Sequence, residues 1–432
     1  MSLLRKGIIA SSGSLVCAVL GMTGNVMLSR TLLPEGMGRY QLPLTAGMLA
    51  MTILSLGVGQ SNIFLLNRHR IPIQQIMINS LWFSATGSLL LIIFTPSLLT
   101  VFAGYFGVLP MWTKIILGID ASSLFCFYLL RPILIAGLQI RRDTVAQIAQ
   151  RASICLLIAI GIVCGIITVP IALSITCIGD LLALGMVVYY LREHIQLSTK
   201  FAWKIFRQTL VYGLKIFAAN FVYIVNTSIG LLLLRYLIAN DFAMVGNYGR
   251  AAALSGFVML VPTAVGPLLY AKWSDAQTDQ RGGQVALAMR LHLVLAGIII
   301  PVLALFAPWF VRILYGIEFM PAAEALHILA FGVGLRCLFN VCHNLLTSDG
   351  HAHFTAYIYG ISVVITGFCT WWLVPHYGIR GPALADVIAS SFVLICGIII
   401  MKVKYGFCIT NMFLPNISDI KHFRTAISST RR

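Results

Sequence analysis

No charged residue occurs between Gly7 and Ser29, and apolar runs of this kind recur from one end of the chain to the other. A helix needs roughly 20 apolar residues to cross the hydrocarbon core of a bilayer, so each run is a candidate span. Of the 432 residues, 59% are hydrophobic and only 10% are charged, and the mean hydropathy is +0.92. Soluble domains carry about 25% charged residues. No water-soluble core absorbs this much apolar surface, so the bilayer must be the solvent. The expected fold class is an all-α integral membrane protein.

With short loops, about twelve transmembrane helices fit, near 7–33, 40–66, 74–103, 112–138, 147–168, 170–191, 210–238, 246–271, 284–315, 321–347, 353–374 and 381–401. Arg5 and Lys6 before the first run resemble a signal peptide. The run is too long for an h-region and lacks a clear small-residue cleavage site, so it reads as a retained span. The polar connection 192–208 mixes Arg192, Lys200, Lys204 and Arg207 with Phe201, Trp203 and Phe206. That mixture suits an amphipathic helix lying on an anionic leaflet. The expected organisation is an N-terminal six-helix lobe (1–191), a cytoplasmic amphipathic linker (192–208), a C-terminal six-helix lobe (209–404) and a basic cytoplasmic tail (405–432).

The formal net charge is +17. Lys and Arg gather at alternate span ends, which by the positive-inside rule puts both termini in the cytoplasm. No basic run is long enough to track nucleic-acid phosphates. The ten cysteines form no CxxC and read as small core hydrophobes.

The stretch 29–40 contains Arg30, Leu32, Pro34, Glu35, Gly36, Gly38, Arg39 and Tyr40, and is expected to form the loop leaving the first span. A related pattern returns as Arg235, Leu237 and then Gly246-x-Tyr248. Arg30 and Arg235 differ by 205 and Tyr40 and Tyr248 by 208. Further on the offset holds at 212: Phe94 to Pro96 with Gly104 matches Phe306 to Pro308 with Gly316, Pro170 matches Pro382, and Arg192 matches Lys404. Six spans per half, both starting inside, make a parallel repeat about an axis normal to the membrane, with a central cavity. What recurs in the first loop suits a tight outward turn, with a cation near the headgroups, a Gly freeing the backbone and a Tyr at the interface.

The run Arg30-x-Leu32-x-Pro34-Glu35-Gly36-x-Gly38-x-Tyr40 resembles the first-loop signature of the polysaccharide transporter family, within the multidrug/oligosaccharidyl-lipid/polysaccharide exporter superfamily. Gly246-x-Tyr248 resembles its counterpart in the second half. The span count, the doubled chain and the basic linker extend the resemblance over nearly the whole sequence. It implies a non-enzymatic flippase that moves undecaprenyl-diphosphate-linked oligosaccharide units, such as O-antigen for lipopolysaccharide, from the inner to the outer leaflet of a bacterial inner membrane. It also implies, as partners, a polysaccharide polymerase and chain-length proteins. Multidrug exporters share the fold, so fold alone does not settle the substrate.

Ionisable residues inside spans cost about 2.5–3.5 kcal/mol each on insertion scales, so each needs an explanation. Arg336, Asn340, His343 and Asn344, with Thr347, fall on one helical stripe. A cation beside amides suits a diphosphate and sugar hydroxyls; a polar seam between helices is the alternative. Lys215 and Asn226, with Tyr223, lie near one face of the seventh span. Arg250, Arg290, Arg39 and Arg30 complete the substrate-binding candidates, with snorkelling to the interface as the competing reading. Asp180, Asp120 and Asp386 are candidates for coupling to H+ or Na+, or for permanent pairing with arginines. Asp120 and Arg131 share a helix face.

No GxxxxGK[ST] supports an ATPase, and neither HExxH nor a Cys/His cluster supports a metal, so no cofactor is expected. Two rivals stand beside the flippase. A cation-coupled multidrug exporter should prefer an acidic cavity, whereas the intramembrane balance here is basic. A glycosyltransferase or polymerase usually needs a sizeable outward loop, and none exceeds about a dozen residues.

Overall fold

The computed structural model describes residues 3–68, 71–137, 139–195, 200–238, 241–259, 278–349 and 351–407. His69 and Arg70, the expected eighth span beyond 259, the loop up to 277 and the tail from 408 lie outside the described residues. Among those described, all regular structure is helical. Ten helices are long and apolar enough to cross a membrane, and the chain is a multi-pass membrane protein. Lipid offers the backbone no hydrogen-bonding partners, so each span must satisfy its own amides, as a helix does.

The first element corrects the sequence reading. The segment α1 (Leu3–Ser55) is two helices joined at a kink at Leu33 (φ 59, ψ 175), so the stretch expected to be a loop is helical on both sides of that one residue. Pro34 is the cause: it lacks an N–H, and it disfavours the α conformation in the residue before it. A proline is at ease in the first turn of a helix, so the chain restarts at once. The conformation at Leu33 is unfavourable for a non-glycine residue, by about 1–3 kcal/mol. The expected second span is also divided. Helix α1 stops at Ser55, Leu56 (φ 46) and Gly57 (φ 69) form a left-handed joint, and α2 (Val58–Arg68) continues.

Then follow α3 (Ile73–Val101), the single turn α4 (Ala103–Phe106), α5 (Met111–Ala136), α6 (Ile140–Val163) and α7 (Val169–Leu191). Pro170 sits in the first turn of α7. Lys204, Arg207 and Gln208, expected in the linker, are instead the first turns of the long helix α8 (Trp203–Leu237). After it come α9 (Phe242–Gly256), α10 (Thr278–Leu314), α11 (Met320–Ser348), α12 (Ala352–Tyr377) and α13 (Arg380–Tyr405).

The local echo between halves is visible in these elements. Helices α3 and α10 each carry a proline near the C-terminal end, Pro96 and Pro308. Each is followed by a positive-φ glycine, Gly107 (φ 87) and Gly316 (φ 105). The counterpart of Gly316 is therefore Gly107, not Gly104, which is helical with room around it.

The chain divides into two compact units, Met1–Gly249 with Val311–Pro321, and Arg250–Phe310 with Ala322–Arg432. The core of the first joins Leu65, Met77, Phe127, Ile133, Ala183 and Val187 from α2, α3, α5 and α7, with Ala146 of α6. The core of the second joins Val285 and Met289 of α10, Phe339 and Cys342 of α11, Ile358 of α12, and Val393 and Met401 of α13. Lipid tails are as apolar as leucine, so helices associate through close packing, and small residues allow it. A Cβ on Gly397 would stand 2.9 Å from the Phe339 ring.

Candidate functional site

The recurring Arg and Gly-x-Tyr residues meet one another within the first unit, in a reciprocal arrangement. A Cβ on Gly38 would lie 2.0 Å from the Phe242 carbonyl oxygen, and a Cβ on Gly246 would lie 2.0 Å from that of Pro34. The glycines therefore do not free a turn, as expected from the sequence. Both are helical, and they let α1 and α9 cross backbone to backbone. Tyr40 and Tyr248 are buried rather than interfacial, and the Tyr40 hydroxyl bonds that of Thr176 at 2.8 Å.

The arginines are reciprocal too. Arg30 donates from Nε to the Leu314 carbonyl at 3.0 Å and from Nη2 to that of Ile313, at the C-terminal end of α10. Arg235 donates to the Tyr105 and Gly104 carbonyls at 2.8 and 2.9 Å, at the end of α4. Each cation meets the unsatisfied carbonyls and negative dipole end of a helix from the other half of the sequence. The Tyr105 hydroxyl donates to the Leu232 carbonyl at 2.7 Å, and burial pushes its phenol up to about 12 against the opposing effect of Arg235. Arg39 is paired with Glu35 at 2.7 Å and lies 5.1 Å from the centre of the Phe242 ring.

The Ser55–Gly57 break shapes a cavity. A Cβ on Gly57 would stand 2.3 Å from the Gly213 carbonyl oxygen, and one on Gly213 would stand 2.7 Å from that of Leu56, so α8 crosses directly over the joint. Beside this crossing lies a cavity of about 240 Å³. Tyr128, Phe217 and Tyr223 supply aromatic walls, and Thr52, Gln60 and Asn220 supply hydrogen-bonding groups. Among the described residues, no acidic side chain lines it. Irregular backbone at membrane depth is tolerated where it lines a cavity, and broken helices are the usual builders of transporter sites. Of the expected candidates on α8, Lys215 lines a neighbouring cavity and Asn226 is buried. Sequence reasoning missed Gln60 and Tyr128; a Gly-x-Gly at 57–59 inside an apolar run was the available signal.

Asp120 of α5 and Asp180 of α7, both buried, are brought together. The two carboxyl groups are neighbours, and Asp180 Oδ1 accepts from Gln150 Nε2. Neither forms an ion pair with an arginine among the described residues. Arg131 does not serve Asp120; it makes a two-point ion pair with Asp143 of α6, at 2.6 and 3.2 Å.

The expected stripe on α11 is partly taken up by protein partners. Arg336 Nη1 pairs with Asp386 Oδ1 and reaches Ser390 at 3.4 Å, both on α13. Asn344 donates to the side-chain and backbone oxygens of Asn340 at 2.7 and 2.8 Å. Gly332 makes the room, since a Cβ there would stand 2.4 Å from Asp386 Oδ2. His343 is half-buried and its Nδ1 has no hydrogen-bond partner. Arg290 is half-buried on α10 and Arg250 buried on α9. No group of three or more metal-ligating side chains occurs among the described residues.

A scan against protein-family models returns no match, and neither does a search of curated proteins. Solved structures do match. The lipid II flippase MurJ, in an inward closed conformation, aligns with a TM-score of 0.77 at 15% identity, over 94% of this chain and 89% of that one. An inward-facing multidrug resistance MATE family transporter of the MOP superfamily aligns at 0.73 and 15% identity, over 93% and 98%. A MOP superfamily transporter from Pyrococcus furiosus, described as having a binding pocket of reverse polarity, aligns at 0.67 and 14%, over 93% and 95%. At these identities the likeness shows the fold: the chain has the architecture of MOP-superfamily transporters.

Proposed function

We propose that the protein is a flippase for diphosphate-linked oligosaccharide lipids, the undecaprenyl-linked units of a surface polysaccharide such as O-antigen. It carries them from the inner to the outer leaflet of a bacterial cytoplasmic membrane by alternating access, with both termini in the cytoplasm. The observation that carries this reading is the cavity at the α1–α2 break. Aromatic rings offer flat apolar faces to sugar C–H groups, and Gln60, Asn220 and Thr52 offer the donors and acceptors that sugar hydroxyls require. A site for cationic drugs would be expected to carry an acid, and this lining has none. The fold shared with a lipid II flippase supports the same substrate class. The fold shared with MATE transporters makes multidrug export the competing reading.

In cells lacking the native gene, a Tyr223→Ala/Asn220→Ala variant that inserts normally is expected to reduce surface polysaccharide more than tenfold. Undiminished polysaccharide, or drug resistance conferred by the wild-type chain without any effect on polysaccharide, would overturn the proposal.

The buried neighbours Asp120 and Asp180 are the proposed coupling site, with a proton as the coupling ion. Asp180→Asn is expected to remove the dependence of transport on an imposed pH gradient in proteoliposomes, leaving a slow, gradient-independent rate. Retained stimulation by the gradient, or stimulation by Na+ alone, would exclude that role.

A further inference from the structure

We propose that Lys204, Arg207 and Lys215 form a binding site for the diphosphate of an isoprenoid lipid, at the N-terminal end of α8. The identity of the ligand rests on the flippase reading; the anion site rests on the following observations. A cavity of about 470 Å³ opens between the end of α2 and the first turns of α8, with these three side chains and Tyr212 in its lining. Residues 204, 208, 211 and 215 follow helical spacing and share one face, and Arg207 lies beside it. All three cations are exposed, and none makes an ion pair with a described acidic side chain. The reason is visible in the sequence: no Asp or Glu occurs between Glu193 and Asp241, so no acid at i±3 or i±4 can neutralise any of them.

The cations stand on a fixed platform. Asn79 clamps the backbone of Ala202 twice, donating to its carbonyl at 3.1 Å and accepting from its N–H at 2.9 Å. Phe206 is buried against Phe83 and Trp203. Tyr212 stacks on Phe64 with ring centres 3.9 Å apart. Lysine and arginine in the first turns of a helix oppose its dipole. Lys204 and Arg207 are therefore unfavourably placed for the isolated helix, and a bound anion reverses the sign of that interaction.

Charge number selects among phosphate lipids. An ordinary phosphodiester headgroup brings one negative charge, whereas a diphosphate bridging lipid and sugar brings two to the three cations. Position supports the same choice. Lys215 and Tyr223 lie on one helix, eight residues or about 12 Å apart. A diphosphate held at Lys215 would set its first sugars against the aromatic and amide cavity.

The test uses the full chain in nanodiscs of zwitterionic lipid, with native mass spectrometry and tryptophan fluorescence as readouts. The probes are farnesyl diphosphate, farnesyl monophosphate and phosphatidylglycerol. The expected order of affinity is diphosphate, then monophosphate, then phosphatidylglycerol. The Lys204→Gln/Arg207→Gln/Lys215→Gln variant should bind the diphosphate at least tenfold more weakly, while Lys204→Arg/Lys215→Arg should bind as wild type, which controls for folding. Equal diphosphate binding by wild type and the Gln variant would overturn the proposal, as would absent wild-type binding. Phosphatidylglycerol binding as tightly as the diphosphate would assign the site to ordinary phospholipid instead. Failure of the Tyr223 and Asn220 export test with diphosphate binding intact would refute the flippase reading and leave the anion site standing.

Discussion

Replacing Gly38 or Gly246 with alanine is expected to destabilise the folded protein by about 3 kcal/mol or more, at the upper end of what overpacking usually costs. The added Cβ would stand 2.0 Å from a carbonyl oxygen of the facing helix, at Phe242 or Pro34. The atom in the way belongs to a backbone, so no rotamer change relieves the clash; α1 and α9 must separate. Separation also disturbs the seating of Arg30 and Arg235 on their carbonyls. The two substitutions share one crossing, so the double variant should cost clearly less than the sum of the singles. Gly185 provides the control: a Cβ there meets nothing within 4 Å, and alanine should be neutral or slightly stabilising. Thermal unfolding in detergent measures all four variants. Gly38→Ala unfolding at the wild-type temperature would mean that the crossing is looser than described.

The second large effect concerns Arg336 and Asp386. Removing one partner of a buried ion pair typically costs about 3–5 kcal/mol, because the other charge is left uncompensated; here the side chains are 17% and 14% exposed, which favours the lower end. Asp386→Asn keeps the shape and removes the charge, so a loss of about 3 kcal/mol is expected, with Ser390 retaining part of the contact. Replacing both partners, as Arg336→Met/Asp386→Leu, should restore most of the lost stability, since an apolar pair of similar volume avoids desolvating two charges. A double-mutant cycle measures the coupling directly. Additive single effects would show that the two side chains act independently, and Arg336 would return to consideration as a substrate contact.

These cases show what could be read from the sequence and what could not. Spans were legible because a long uncharged apolar run marks them whatever the rest of the chain does. The break at Gly57 was not read, since its Gly-x-Gly lies inside such a run. Side-chain partnership was not legible. A span that is apolar all round has no polar face to show which side meets another helix. Asp120 and Asp180 therefore read as two separate candidates, when they are neighbours; Arg336 read as a substrate contact, when it is the arginine partner of Asp386, the pairing weighed for the acids without a named partner. The first-loop motif was recognised by its residues, yet its role was misjudged. Arginine and glycine suit both a surface turn and a close helix crossing, and only the neighbour across the crossing distinguishes them.

The exchanged arginine caps also impose an order in time. Arg235 emerges after Gly104 and Tyr105 have been made, so its partners are waiting when it arrives. Arg30 must wait for Leu314, 284 residues later. At synthesis rates of about 5–20 residues per second, that interval is roughly 14–57 s. Throughout it, the first helices stand in the membrane with an unsatisfied guanidinium and a glycine-notched surface open to other chains. A device that is symmetric in the finished protein is thus asymmetric during biogenesis.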